Sequence, residues 1–253
     1  MPADRLSKIP QVTLAFWIMK ICATTLGETG GDLLSMTLNV GYAASSLILA
    51  ALFFAALFSQ LLSSKFHPTL YWTVILATST AGTTMSDFMD RSLGLGYAKG
   101  SLILISLLIL VLVIWRICEG TLSVTKIASR RGEVFYWTAI LASNTLGTAL
   151  GDYLADDSGL GFMGGALVIS ALLGIIVAAH CLTRIPSVIL FWSAFILTRP
   201  FGATFGDLLT KSPSNGGLGF GTIGSSAILF GALAALVVYS RKTKNETPRE
   251  LSA

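Results

Sequence analysis

Hydrophobic and polar positions alternate along this chain on two scales. On the longer scale, apolar stretches near 12–35, 43–63, 69–89, 97–117, 133–155, 163–182, 187–209 and 221–240 are separated by short polar breaks. Each holds about 20 residues, the length a helix needs to cross a hydrocarbon core of about 30 Å. On the shorter scale, the odd and even stretches differ. The even ones, such as "SSLILAALFFAALFSQLL", carry almost no polar side chains. Each odd one carries a polar stripe. At 100° per residue, Thr25, Glu28, Thr29 and Asp32 share one face, as do Thr80, Thr83, Thr84 and Asp87, and Thr145, Thr148 and Asp152. The fourth copy keeps Thr204 and Asp207 but has Pro200 in place of a threonine. This predicts an all-α membrane protein of eight transmembrane helices, with polar odd helices inside and apolar even helices facing lipid.

The odd stretches are copies of one another. Ten residues after Trp17, Trp72, Trp137 and Trp192 stand Gly27, Gly82, Gly147 and Gly202, and five residues further stand Asp32, Asp87, Asp152 and Asp207. The motif W(x)9G(x)4D therefore occurs four times without a gap. Gly41, Gly96 and Gly161 follow the first three aspartates by nine residues; Gly219 follows the fourth by twelve, so "KSPSNGG" carries a three-residue insertion. Such internal repetition marks an array of one structural unit. The repeats run approximately 11–65, 66–118, 131–184 and 186–241 within a single membrane domain, with a basic linker at 118–132 and a polar tail at 242–253 expected to be disordered.

Small residues recur every four positions on the other face of each odd helix: Ala23, Gly27, Gly31; Thr78, Gly82, Ser86; Ser143, Gly147, Gly151; and Thr198, Gly202, Gly206. This spacing lets helix backbones approach closely in lipid. The four tryptophans read as anchors in an interfacial aromatic belt.

Composition agrees with a membrane location. Hydrophobic residues make up 53% of the chain, charged residues only 12%, and mean hydropathy is +0.75, too little charge for a soluble surface. The net charge of +4 reads as a topology signal. Arg5, Lys8, Lys65, Arg116, Lys126, Arg130, Arg131, Arg184, Arg241, Lys242, Lys244 and Arg249 fall at the termini and even-numbered loops. The opposite loops hold Arg91 and Lys211, with Lys99 nearby, beside Asp90, Asp156 and Asp157. The positive-inside rule then places both termini in the cytoplasm. All four repeats share one orientation, related by an axis along the membrane normal. Arg5 and Lys8 precede the first apolar run as in a signal peptide, but no clean cleavage site follows and the run carries the repeat motif, so it reads as a retained span.

Four tandem repeats, each with two spans and a characteristic tryptophan, resemble a bacterial family of uncharacterized membrane-anchored proteins known as a repeat of unknown function. The resemblance spans roughly residues 8–241. It implies the fold and a bacterial inner-membrane location, and no activity.

The aspartates are the chief candidates for function. Fifteen residues from Trp to Asp rise about 22 Å in a helix, which puts Asp32, Asp87, Asp152 and Asp207 in the outer half of the membrane. Ionisable groups there mark pathways, and carboxylate rings select cations. The plainer reading is that each aspartate ends its helix. Glu28 adds a carboxylate one turn deeper. Arg199 occupies the position of Thr24, Ser79 and Asn144 and needs a partner, for which Glu28 across the axis is the candidate. Lys20 is a second internal cation or a side chain reaching back to the cytoplasmic surface.

Carboxylates and hydroxyls suit protons and hard metal ions such as Mn²⁺ or Mg²⁺, making the four aspartates the candidate metal ligands. The three cysteines and two histidines are not spaced for zinc. The expected function is transport of a small cation along a central pathway lined by these Asp and Thr residues. Two alternatives stand beside it: transport of an anionic or zwitterionic solute through Arg199 and Lys20, and a non-transporting scaffold. No Ser–His–Asp set, HExxH or nucleotide loop is present, so an enzyme is not expected. No cofactor is expected beyond a transported ion. The expected partners are the bilayer and a small ion or solute, with no nucleic acid; a homo-oligomer is allowed.

Overall fold

The computed structural model describes residues 8–127 and 129–246. These form eight long helices and, among the described residues, no strand: α1 Leu14–Asp32, α2 Tyr42–Leu62, α3 Pro68–Asp87, α4 Tyr97–Glu119, α5 Arg130–Asp152, α6 Gly161–Leu182, α7 Ser187–Thr210 and α8 Thr222–Glu246. Local signals set the starts. The Thr13 hydroxyl accepts from the Phe16 amide, the Ser129 hydroxyl accepts from the Gly132 amide, and Pro68 occupies the first turn of α3, where its missing N–H costs nothing.

After its aspartate, each of the first three odd helices loosens into one π-helical turn: Leu33–Thr37, Phe88–Ser92 and Tyr153–Asp157. The amides of Leu38, Leu93 and Ser158 reach back five residues, at 2.8–2.9 Å. Gly41 and Gly96, at φ 83° and 72°, then reverse the chain in the left-handed region that glycine adopts freely. The fourth repeat is different. Its helix stops at Thr210, Lys211 is extended (φ −68°, ψ 154°), and the inserted residues form a short loop. The expected tail also differs from the structure: α8 carries the backbone of 242–246 as helix, and 247–253 lie outside the described residues.

The four odd helices form a closed ring, α1 against α3, α3 against α5, α5 against α7 and α7 back against α1. The even helices lie outside it and are offset by one repeat. Helix α2 packs on α3, α4 on α5, α6 on α7, and α8 closes onto α1. The repeats therefore interlock, because the helix covering each odd helix belongs to the repeat before it.

Among the described residues, five helices are long and apolar enough to cross a membrane: α2, α4, α6, α7 and the Thr222–Arg241 part of α8. Helices α1, α3 and α5 fall short because their polar stripes and glycines face one another inside the ring. The outer helices leave large apolar side chains exposed, among them Leu47, Phe54, Leu102, Ile109, Leu167, Ile175, Ile228 and Phe230. A contiguous apolar jacket of this kind suits lipid.

Candidate functional site

The ring is built in layers along its axis. At the amino-terminal end of the odd helices, an aromatic residue precedes every tryptophan, and each packs on the tryptophan of the next repeat. Phe16 lies 5.7 Å from Trp72, Tyr71 5.5 Å from Trp137, Tyr136 6.4 Å from Trp192 and Phe191 5.8 Å from Trp17. The collar is closed. Trp72, Trp137 and Trp192 are buried and Trp17 half-buried. This corrects their reading as lipid-interface anchors: the neighbouring helix and its paired aromatic cover the indoles. Trp115, outside the repeat motif, is buried against Trp192 at 5.6 Å. The Tyr71 and Tyr136 hydroxyls pair at 2.6 Å inside the collar.

The repeated glycines set the next contacts, again in cyclic order. A Cβ on Gly27 would meet Ser79, on Gly82 Asn144, on Gly147 Arg199 and on Gly202 Thr24. Gly31, Gly151 and Gly206 make the same approach one turn later, toward Thr83, Ala203 and Glu28. These glycines are helix-packing positions. Each removes the side chain that would hold two ring helices apart.

Three charges lie deep on the axis. Lys20 is fully buried. Its ammonium stands 4.0 Å over the Phe195 ring and 3.4 Å from Asn144 Oδ1. It therefore does not snorkel, and among the described residues it has no carboxylate partner. Above it, Arg199, also fully buried, donates through Nη1 to Glu28 Oε2 at 2.9 Å. Through Nη2 it donates to Thr83 Oγ1 (2.5 Å), Thr148 Oγ1 (2.7 Å) and the Ser79 carbonyl (3.3 Å). The Thr83 and Thr148 hydroxyls in turn lie 3.3 Å and 3.2 Å from Glu28 Oε2.

The other threonines do not reach the axis. Thr29, Thr80, Thr84, Thr145 and Thr204 donate to carbonyls of their own helices. Thr29 also accepts from Ser226 of α8, and Thr204 packs on Gly165 of α6. Thr25 is buried, and among the described residues its hydroxyl has no hydrogen-bond partner. The polar stripe is about 100° wide, so one edge faces the axis and the other faces the covering even helix. Only the Thr83 and Thr148 edge belongs to the central site.

The aspartate layer is resolved into two bridged pairs. Arg91 Nε lies 3.0 Å from Asp87 Oδ1, and its Nη2 3.3 Å from Asp152 Oδ2. Lys211 Nζ lies 2.6 Å from Asp32 Oδ2 and 3.1 Å from Asp207 Oδ1. All four aspartates are buried, while the Arg91 and Lys211 side chains retain 33% and 24% exposure. The aspartates are thus paired rather than bare, and two residues assigned to loops supply the pairing. Their signal was present: each stands four residues after the aspartate of an even-numbered repeat. Burial opposes the charge of Lys211, but Asp207 and Asp32 outweigh it and raise its pKa above the ordinary lysine value.

One oxygen each from Glu28, Asp32 and Asp207 lies within 4.8 Å of the others. Two unit charges at that distance repel by about 3 kcal/mol at an effective dielectric of about 20. Counted at formal charge among the described residues, the layer is unbalanced. Five carboxylates (Glu28, Asp32, Asp87, Asp152 and Asp207) face three bases (Arg91, Arg199 and Lys211), leaving two negative charges. Lys20 stands two turns deeper than Glu28, about 12 Å along the helix. Asp90 bonds Ser86 and packs on Gly100 of α4, outside the ring.

A family model described as Repeat of Unknown Function (DUF347) matches residues 15–66, 70–121, 135–185 and 190–245. The chain belongs to this family. No curated protein and no solved structure matches it. Each DUF347 segment holds one ring helix and the following outer helix, so the sequence repeat and the packing unit are offset by one helix. The aspartate, the ring glycine and the collar pair stand in all four DUF347 repeats. Glu28, Lys20 and Arg199 each break the symmetry in a single one.

Proposed function

We propose that this DUF347 protein is an integral membrane transporter for a small cation, a proton or a hard metal ion, which it binds at the carboxylate layer of its helix ring. In this reading all eight helices span a bacterial inner membrane. The repeats run parallel about the ring axis, both termini are cytoplasmic, and the carboxylate layer lies in the outer half. The observation that carries the reading is the charge imbalance. Two uncompensated carboxylates in a buried ring are costly, and one divalent ion or two protons relieve them. Oxygen-only donors favour hard cations. The collar and the Arg199 network close the axis toward the termini, which suits a carrier in an occluded state better than an open pore.

Transport of an anionic solute is less well supported, because Arg199 is already engaged by Glu28, two threonines and a carbonyl. The scaffold reading draws on the same dense packing of the axis. A ligand screen separates it from the cation reading. Purified protein is melted in detergent with Mg²⁺, Mn²⁺, Ca²⁺ or Na⁺, and across pH. A cation present at 100 times its dissociation constant stabilises by about 2.7 kcal/mol. The cation reading expects one ion, or falling pH, to raise the melting midpoint of wild type but not of Glu28→Gln/Asp32→Asn. A midpoint that ignores every cation and every pH change would return the aspartates to a structural role.

A further inference from the structure

The two bridged pairs look equivalent in sequence but are built differently. Arg91 sits inside the π-turn Phe88–Ser92, and its guanidinium lies 5.9 Å and 5.6 Å from the Tyr42 and Tyr97 rings. A planar, always-charged group held this way is a fixed clamp. Lys211 has no such frame. It follows the end of α7 in extended backbone, at the head of the three-residue insertion. Its backbone is held, the amide donating to the Asp207 carbonyl and the carbonyl accepting from the Gly219 amide, both at 2.9 Å, but beyond the two aspartates its ammonium meets only Met36 Sδ, at 3.7 Å, among the described residues. Beside it, an open hollow lined by Thr37, Thr210, Phe220 and Thr222 begins one residue from both Lys211 and Met36.

The oxygens around Lys211 suit a metal ion. Two oxygens bound to one Mn²⁺- or Ca²⁺-sized ion at roughly 2.1–2.5 Å stand at most about 5 Å apart, and those of Glu28, Asp32 and Asp207 lie within 4.8 Å. A separate observation points to a missing ligand. Asp87 is buried, and among the described residues its Oδ2 has no hydrogen-bond partner although Oδ1 is held by Arg91. Asp87 and Asp32 occupy the same repeat position on the neighbouring ring helices α3 and α1.

We propose that Lys211 is an exchangeable counter-ion: Glu28, Asp32 and Asp207 form the site for one hard divalent cation, and the Lys211 ammonium fills it when the metal is absent. The proposal rests on the cation reading above and makes it specific. The site belongs to the α1–α7 side of the ring, the Arg91 side is structural, and the Lys211 side chain, 24% exposed, withdraws toward solvent while its hydrogen-bonded backbone stays in place.

The test is a Mn²⁺ titration of full-length protein in detergent, following the paramagnetic resonance signal of free Mn²⁺. Wild type is expected to bind one ion per chain. Lys211→Met keeps the apolar stem but removes the competing charge, and tightens binding about tenfold or more. Lys211→Arg, a larger cation with a fixed fork, weakens it. Asp32→Asn and Asp207→Asn lose at least about 100-fold, while Arg91→Lys stays within about threefold. The lysine pair carries the test even where an aspartate variant fails to fold. Equal affinity in wild type and Lys211→Met, or a larger loss in Asp152→Asn than in Asp32→Asn, overturns this inference and leaves the cation reading in place. No Mn²⁺ binding in wild type or in Lys211→Met overturns the divalent site, and an absence of proton uptake as well overturns the broader reading.

Discussion

Removing Arg199 tests the electrostatics of the ring most sharply. Its guanidinium is fully buried and is the sole base bonded to Glu28 among the described residues. Arg199→Met keeps the Cβ and Cγ atoms that pack on Gly147 and deletes only the charge and its donors. Five carboxylates then face two bases, and the excess rises from two to three negative charges. Breaking a buried pair from one side costs about 3–5 kcal/mol. For a chain of this size each kcal/mol is worth roughly 2–4 °C, so the melting midpoint should fall by about 6–20 °C. Glu28→Gln moves the excess the other way, from two to one, and should cost about half as much or less. The double variant restores the excess of two and should recover most of the Arg199→Met loss. The assay is thermal unfolding of purified protein in one detergent, read by tryptophan fluorescence with the three variants side by side. An Arg199→Met midpoint within about 2 °C of wild type, a Glu28→Gln midpoint below that of Arg199→Met, or losses that simply add in the double variant would each refute this electrostatic picture.

Gly82→Val and Gly202→Val should prevent a monodisperse preparation, because a Cβ would stand 3.0 Å from the Asn144 carbonyl carbon and 2.6 Å from Thr24 Oγ1. Gly174→Ala, with nothing within 4 Å, should be neutral or stabilise by up to about 1 kcal/mol; equal behaviour of the two kinds of variant in gel filtration would contradict the packing account. Tyr71→Phe strands the Tyr136 hydroxyl and should cost about 1–3 kcal/mol, while the double Tyr→Phe variant should be closer to wild type, a difference thermal melting detects. The raised pKa of Lys211 means its stabilising contribution is complete below the ordinary lysine value and is lost only as pH rises through the higher folded value. The melting difference between wild type and Lys211→Met should therefore stay constant from about pH 6 to 9, and a difference that decays across that window would show that Lys211 titrates within it. A cysteine placed at Ser214, exposed at the carboxylate end, in a background with Cys22, Cys118 and Cys181 replaced by serine, should react with an impermeant maleimide from outside intact cells; labelling only after permeabilisation would invert the topology.

Much of the architecture was legible because it is written in periodicity. The spacing of Trp17, Gly27 and Asp32, repeated three times, fixes which face of each odd helix turns inward, and the glycine face predicts close helix contact without any coordinates. The Glu28 and Arg199 positions were likewise readable, since a lone buried charge needs its opposite. What the sequence hid was the direction of each contact around the ring. Tyr71 precedes Trp72 in sequence yet packs on Trp137, a relation between repeats that spacing within one repeat does not encode. The same holds for Arg91 and Lys211. Counted as loop charges they set topology, but a side chain four residues beyond a helix-terminal aspartate turns back toward the ring and bridges to the next repeat. The threonine stripe misled for a geometric reason: at 100° per residue Thr80 and Thr83 fall on one broad face, but the ring admits only Thr83.

In the proposed reading, the unbalanced carboxylate layer carries a cation across the membrane. Flux into proteoliposomes loaded with indicators for pH and for divalent metal ions tests it most directly, comparing wild type with Asp32→Asn, Asp207→Asn and Glu28→Gln. Wild type is expected to take up a proton or one hard metal ion, and all three variants to lose that uptake while their melting and orientation in the vesicle persist. Flux that survives in all three, or vesicles that pass no cation with wild-type protein correctly inserted, would contradict it.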